Sequence, residues 1–146
     1  MDFQLTSRAF QHGGTIPERY TCDGEDLSPD LKWEAIPEGT KSFVLIMDDP
    51  DAPMQTFTHW VVYNIPAACS VFEKGTCEEG MNDFQKVGYG GPCPPRGNPH
   101  RYFFTLYALD IEEVCAEEGA AVSEIEANME GHILGKAVLI GLYQRV

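Results

Sequence analysis

The segment 43-FVLIMDDPDAPMQTFTHWVVYNI-65 consists of two apolar runs joined by an acidic connection that contains two prolines. Both runs are rich in β-branched and aromatic residues, which favour strands. Asp48, Asp49 and Asp51 follow the first run directly, and His59 lies inside the second. Pro50 restricts Asp49 to an extended conformation, so a carboxylate is predicted at the end of an apolar strand face. This arrangement predicts a polar site where two strands end.

Short apolar runs bounded by Gly, Pro, Asp or Asn recur along the whole chain. The predicted strands are Phe3–Ser7, Leu31–Glu34, Ser42–Met47, Phe57–Ile65, Arg101–Leu109 and Lys136–Arg145. Strands at these spacings indicate a mostly β fold, either a sandwich or an open antiparallel sheet. The run 137-AVLIGLY-143 is almost continuously apolar, so we predict that the last strand is central and covered on both faces.

One helix is predicted near the end of the chain. Ser123 and Glu126 have the spacing of a capping box, and Gly131 or Gly135 can end the helix. Apolar residues recur at helical spacing at Ile125, Met129 and Ile133. A second, weaker helix is predicted over Glu78–Phe84.

The length and composition limit the number of domains and the kinds of partner that this protein can have. The 146 residues fit one domain, 1–146, whose core needs no metal or disulfide. Without a secretory leader or an apolar membrane segment, the protein is expected to be cytoplasmic, with no integral membrane association. The 23 acidic residues outnumber the 10 Lys and Arg, and the net charge of −13 repels nucleic acid and anionic membranes. A small anion held in a pocket is still compatible with this charge.

The five cysteines are an odd number and include no CxxC pair. This argues against a disulfide framework and against a zinc ribbon, so we expect reduced thiols.

Alternation along the strands assigns the polar residues to faces. Around His59, one side is predicted to carry Phe57, His59, Val61, Tyr63 and Ile65, and the other Thr58, Trp60, Val62 and Asn64. In the strand 100-HRYFFTLYAL-109, one side is predicted to carry His100, Tyr102, Phe104, Leu106 and Ala108. Asp49 continues the side of Phe43, Leu45 and Met47. Buried polar groups without partners cost about 1–3 kcal/mol each, so these residues are expected to bond one another or a ligand.

The loop 88-GYGGPCPPRGNP-99 contains four glycines and four prolines. It lacks the Lys of a phosphate-binding Walker loop. Gly90 and Gly91 can bring backbone N–H groups close to a ligand, and the prolines stiffen the rim. The same composition is typical of an ordinary surface loop.

Motifs for catalysis and for metals are weak. There is no Gly-x-Ser-x-Gly and no HExxH, and Cys93 near His100 is a weak indication of a thiol nucleophile. Asp48, Asp49, Asp51 and His59 lack the spacing of a calcium loop. We therefore predict no catalytic residue, no metal and no cofactor.

Three motifs together, 49-DPDAP-53, 59-HWVVYNI-65 and 89-YGGPCPPRGNPHRYFFTLYAL-109, resemble the phosphatidylethanolamine-binding protein family. The resemblance is to its short bacterial and archaeal, Raf kinase inhibitor-like (YbhB/YbcL-type) branch, and it extends from Phe3 to Arg145. It implies a β-sandwich with a large central antiparallel sheet and one or two short helices. It also implies a small pocket for phosphate-like anions and, in many members, a homodimer.

Matched position by position, the family pocket falls on Asp49, Asp51, His59, Gly91, Pro92, Cys93, His100 and Tyr102. The resemblance implies that these residues bind the ligand, and Arg101 completes the His-Arg-Tyr element. Two features depart from eukaryotic relatives. Their C-terminal helix has no counterpart after Gln144-Arg145-Val146, and Cys93 occupies a position where many of them have glycine.

Three functions follow as hypotheses. The first is a non-enzymatic binding protein for a phosphorylated or carboxylate ligand, held by the histidines, Tyr102 and the N–H groups near Gly91, with Asp49 and Asp51 fixing a histidine tautomer. The second is an inhibitor of a protein target, a protease or a kinase, that acts through the Gly/Pro-rich rim. The third is a weak hydrolase with His59 or His100 as general base.

Overall fold

The computed structural model describes residues 2–72 and 77–146. Its elements, in chain order, are β1 (Gln4–Thr6), a short 3-10 helix (Glu18–Tyr20), β2 (Lys32–Glu34), β3 (Ser42–Asp49), β4 (Phe57–Pro66), β5 (Glu78–Glu79), β6 (His100–Leu109), α1 (Val122–Met129) and β7 (Ile133–Tyr143). One sheet has the order β5-β4-β3-β6-β7, a second consists of β1 and β2, and all paired strands are antiparallel. The predicted mostly β, antiparallel fold is confirmed.

The five-stranded sheet carries a core on each face. One core, under the small sheet, includes Trp33, Phe43, Leu45, Met47, Trp60, Tyr102 and Phe104. The other, under α1, includes Val44, Ile46, Val61, Tyr63, Ile125 and Met129. Full burial of each large apolar side chain contributes about 1.5–3 kcal/mol to stability. Because β3 has buried side chains on both faces, this burial stabilises its position in the middle of the sheet.

The predicted central position of the last strand is wrong, because β7 lies at an edge of the sheet. Residues 13–16 cover part of that edge. The Gly13 N–H donates to the Ile140 carbonyl at 2.7 Å, and the Ile16 N–H donates to the Leu142 carbonyl at 2.7 Å. A long apolar strand can occupy an edge when another segment satisfies its outer hydrogen-bonding groups.

Both helix predictions need correction. The helix α1 is capped at Ala121 without a side-chain hydrogen bond, so the capping box at Ser123 is wrong. It ends at Met129, and Ile133 begins β7. Of the helices that the structure describes, none has the length and apolar character that a membrane crossing requires.

The segment Glu78–Phe84 is not helical but forms β5 and a turn. The Asn82 side chain organises this turn, since its Oδ1 accepts from the N–H groups of Phe84 and Lys86 at 2.9 and 3.2 Å. Asparagine favours such local bonds over helix formation.

Two irregularities in β4 overturn the predicted alternation around His59. Phe57 opposes Asp49 and Trp60 opposes Met47, so three steps along β4 match two along β3. Such a β-bulge bends the strand and re-aims its side chains. A second register shift lies near Asn64, which has a φ of 56°. Along β6, the predicted alternation is confirmed, since Tyr102, Phe104, Leu106 and Ala108 share one core.

Candidate functional site

The ends of β3, β4 and β6 meet at a cavity of about 200 Å³. Its lining comprises Asp49, Ala52, Pro53, Phe57, His59, Phe84, Cys93, Pro94, Pro95, His100 and Tyr102. Five residues of the predicted site therefore lie together, although strands far apart in the sequence supply them. A larger depression of about 630 Å³ along Cys115–Ala121 has no histidine in its lining, so we place the candidate site in the smaller cavity.

Asp49 is the central polar group of the cavity and is only 3% exposed. Its Oδ2 lies 2.6 Å from His100 Nδ1, and its Oδ1 accepts from the Asp51 N–H at 2.8 Å. The Tyr102 hydroxyl lies close enough to this carboxylate to interact with it. Burial, followed by the charge of Asp49, raises the pKa of Tyr102 above its ordinary value, so the phenol stays protonated. The donors His100 Nδ1–H and the Asp51 N–H satisfy both oxygens of this buried carboxylate.

The same contact sets the chemistry of His100. A carboxylate only accepts, so His100 Nδ1 carries the hydrogen that bonds Asp49. The second ring nitrogen, Nε2, is then the atom of His100 that is available to a ligand. This geometry assigns Asp49 the role of orienting an imidazole.

His59 is oriented by a backbone carbonyl. Its Nδ1 lies 2.7 Å from the Gly90 carbonyl oxygen, so Nδ1–H donates and Nε2 is available to a ligand. The ring packs against Phe57, Phe84 and Tyr102, with centroid distances of 4.9, 5.3 and 5.2 Å. Burial lowers the pKa of His59 below its ordinary value of 6.5. The imidazole is therefore neutral around pH 7 when no ligand is bound.

The glycine N–H groups do not face a ligand, contrary to prediction. The Gly90 N–H donates to the His59 carbonyl at 3.0 Å, and the Gly91 N–H donates to Asp26 Oδ1 at 2.9 Å. Pro92 does not line the cavity, and its carbonyl accepts from the Cys22 N–H at 3.1 Å. These residues fix the loop instead.

Asp51 does not orient a histidine, contrary to prediction. It accepts from Arg101 Nε at 2.9 Å, from Nη2 at 2.8 Å and from the Arg101 N–H at 2.9 Å. The hydrogen bonds from the Arg101 side chain lower the pKa of Asp51 from 3.8 to about 2. This forked ion pair ties the acidic connection to the start of β6.

Two of the cysteines form a disulfide, which corrects the expectation of reduced thiols. Cys22 and Cys93 are bonded with 5.4 Å between their Cα atoms, and 71 residues separate them in the chain. Since Cys93 carries no thiol in this state, it cannot act as a nucleophile. No local motif indicated the pairing.

Sequence reasoning also missed the aromatic part of the cavity. Phe84 was placed at the end of a predicted helix, yet its ring lies 4.8 Å from the Phe57 ring and beside His59. A lone Phe in a polar turn gives no signal in the sequence. Only the path of the turn after β5 brings it to the cavity.

The sequence model of the family described as Phosphatidylethanolamine-binding protein matches residues 6–144. The chain belongs to the phosphatidylethanolamine-binding protein family. This confirms the resemblance inferred from the three motifs.

Relatives and solved structures agree with this membership. A UPF0098 protein of Aquifex aeolicus is 54% identical over 151 aligned residues, which cover 97% of this chain and 88% of the relative. The crystal structure of a putative homologue in the phosphatidylethanolamine-binding protein family, CT736 from Chlamydia trachomatis, has a TM-score of 0.91 and 39% identity, covering 99% of this chain and 98% of that one. YbcL of Escherichia coli has a TM-score of 0.94 and 32% identity, with all of both chains covered.

Proposed function

We propose that the cavity binds a small phosphoryl-type anion and releases it unchanged. The main support for this proposal is that two imidazoles line one cavity, and the Nδ1 of each forms a hydrogen bond with a protein acceptor. Each ring therefore presents Nε2 as its remaining hydrogen-bonding atom. The family description names a phospholipid, whose head group contains a phosphodiester, and this supports the same class of ligand.

Charge on the ligand can be matched by a proton taken up at the site. His59 is neutral in the empty cavity, and an anion beside its Nε2 favours the imidazolium form. A monoprotonated phosphoryl group can instead donate its own hydroxyl to the neutral ring. Asp49 already accepts hydrogen bonds from His100 and from the Asp51 N–H, which reduces its repulsion of an incoming anion.

The size of the cavity favours a small ligand. Its volume of about 200 Å³ is below the roughly 300–1,000 Å³ of sites for drug-sized molecules. The rings of Phe57 and Phe84 and the prolines Pro94 and Pro95 supply apolar lining beside the histidines. We therefore propose a single phosphoryl group with a small substituent.

Binding without turnover is the second part of the proposal. The described residues that line the cavity include no Ser, Thr or Lys, and the cysteine among them is in a disulfide. A covalent mechanism would need such a nucleophile beside a base. We accordingly expect no release of phosphate from simple phosphomonoesters.

The test is calorimetric titration with inorganic phosphate and with O-phosphoethanolamine. Substituting His59→Ala or His100→Ala is expected to weaken binding by about 10- to 100-fold, since a hydrogen bond to a charged group contributes about 1.5–3 kcal/mol. His132→Ala is the matched control, because His132 Nδ1 also contacts a carboxylate, Asp110 Oδ1, at 2.8 Å, but outside the cavity. Phosphate affinity unchanged in both cavity variants would overturn the proposal.

A further inference from the structure

The disulfide lies at the cavity. Cys93 is part of the cavity lining, and both Cys22 and Cys93 are exposed to solvent. Exposed disulfides are more easily reduced than buried ones and are more often regulatory. A thiol reagent can therefore reach a bond whose cleavage alters the wall of the site.

The loop before Cys93 has additional attachments to the segment after the 3-10 helix. The Cys22 N–H donates to the Pro92 carbonyl, the Gly91 N–H donates to Asp26, and the Tyr89 hydroxyl donates to the Tyr20 carbonyl at 2.7 Å. These bonds hold residues 89–92 whether or not the sulfurs are linked.

The wall itself begins where these attachments end. Cys93, Pro94 and Pro95 line the cavity, and the next attachments are those of Arg96, which forms a bridge with Arg145, and of Gly97, whose N–H donates to the Arg145 carbonyl at 3.0 Å. The disulfide is the covalent attachment within this span. When the disulfide is broken, residues 93–95 are attached through the residues that precede and follow them.

We propose that Cys22–Cys93 is a thiol-exchange site for dithiol reductants, and that its reduction loosens the cavity wall and weakens anion binding. The affinity part rests on the proposed anion site. A preorganised wall binds more tightly because less conformational entropy is lost on binding, by about 0.5–1.5 kcal/mol for each ordered group. The expected loss of affinity on reduction is therefore about two- to tenfold.

The exchange proceeds in two balanced steps. A thiolate of the dithiol attacks Cys22 Sγ, a bond forms to that sulfur, and the bond between the two cysteines breaks with Cys93 leaving as a thiolate. The second thiol of the reagent then displaces Cys22, so the reagent becomes a cyclic disulfide and its two protons end on Cys22 and Cys93. The protein disulfide gains two electrons and the dithiol loses two.

Arg145 favours this direction of attack. Its Nη1 lies 3.9 Å from Cys93 Sγ, and its Nη2 is paired with Asp23 Oδ1 at 3.1 Å, which holds the guanidinium in place. A neighbouring cation stabilises a thiolate, which makes Cys93 the better leaving group. We expect Arg145→Gln to slow reduction several-fold.

The experiment compares the full chain before and after treatment with dithiothreitol. Alkylation and mass spectrometry are expected to show two new thiols, at Cys22 and Cys93. Amide exchange is expected to become faster at Cys93 and Arg96, the residues that flank Pro94 and Pro95, but to stay unchanged in β3, and sulfate affinity is expected to fall two- to tenfold. Circular dichroism checks that the reduced protein stays folded.

Two variants make the test specific. Cys22→Ser is expected to have the affinity of the reduced form and no response to dithiothreitol. Cys115→Ser, at an exposed cysteine outside the cavity, is expected to keep the full response. Equal affinity and equal amide exchange in the two redox states would overturn the proposal. If neither state binds anions but exchange in the wall still accelerates, the thiol-exchange site is supported and the anion-binding function is overturned.

Discussion

His100 and Asp49 form a buried pair with 2.6 Å between Nδ1 and Oδ2, whereas His132 and Asp110 form an exposed pair at 2.8 Å. Their side chains are 12% and 4% exposed in the first pair and 44% and 45% exposed in the second. The two pairs share the same chemistry and differ mainly in burial. Their contributions to stability should therefore differ.

Asp49→Ala is expected to lower the free energy of unfolding by about 3 kcal/mol, because it leaves the donors of His100 and the Asp51 N–H without their acceptor. Asp110→Ala should cost less than about 1 kcal/mol, since an exposed pair is screened by water. Urea unfolding of both variants measures the difference. Equal costs would mean that the carboxylate of Asp49 does not organise the cavity.

Asp48, on the opposite face from Asp49, should destabilise the protein when it ionises. Burial, then the charges of Glu126 and Asp49, raises the pKa of Asp48 from 3.8 to about 6. The folded state binds more protons than the unfolded state between these values, so stability falls as the pH rises through the interval. With allowance for its partial exposure, Asp48→Asn should stabilise the protein by about 1 kcal/mol at about pH 8 and by almost nothing below about pH 4.

Asp51→Asn is the matched control for Asp48→Asn, with the opposite sign. Arg101 lowers the pKa of Asp51 to about 2, so this carboxylate stabilises the fold above its unfolded pKa and loses the effect as the pH falls towards 2. The variant should therefore be less stable than the wild type near neutral pH. Urea unfolding across the pH range checks both signs, and a stabilising Asp51→Asn would contradict the role assigned to the ion pair.

Sulfate affinity should rise as the pH falls from about 8 towards 6. Burial lowers the pKa of His59, so the empty cavity holds a neutral ring, and a bound anion favours its protonation. Proton uptake on binding makes affinity increase by up to about tenfold per pH unit for each proton taken up. Sulfate keeps its charge over this range, unlike phosphate. Calorimetry on the wild type and on His59→Ala decides the matter, because the variant should show a flatter profile.

Gly91→Ala should detach the loop from the segment after the 3-10 helix. A Cβ at this position would clash with the Tyr20 carbonyl oxygen and with Asp26 Oδ1. The Tyr20 oxygen belongs to the backbone, so its clash cannot be relieved without movement of the loop or of the 3-10 helix, and we expect a loss of about 1–3 kcal/mol of stability. Gly135→Ala is the control, since its nearest atom, Pro37 Cγ, lies at 3.3 Å. Thermal unfolding of the two variants should show a clearly larger loss for Gly91→Ala.

Most of the strands and much of the site could be predicted from local sequence patterns. Side chains alternate along any extended chain, so the pattern in 100-HRYFFTLYAL-109 was enough to place His100 and Tyr102 on the face of the core. Likewise, Asp49 at the end of an apolar run was placed correctly on the face of Met47. These are local properties that do not depend on which strand lies alongside.

The partners of these residues depend on contacts between distant segments of the chain. His59 faces the cavity through a bulge whose position depends on the register between β3 and β4. Asp51 pairs with Arg101 across 50 residues, and Cys22 bonds Cys93 across 71. Such contacts depend on the packing of distant segments. Local periodicity carries no information about that packing, which is why the sequence predicted the strand faces but not the partners of Asp51 and Gly91 or the disulfide of Cys93.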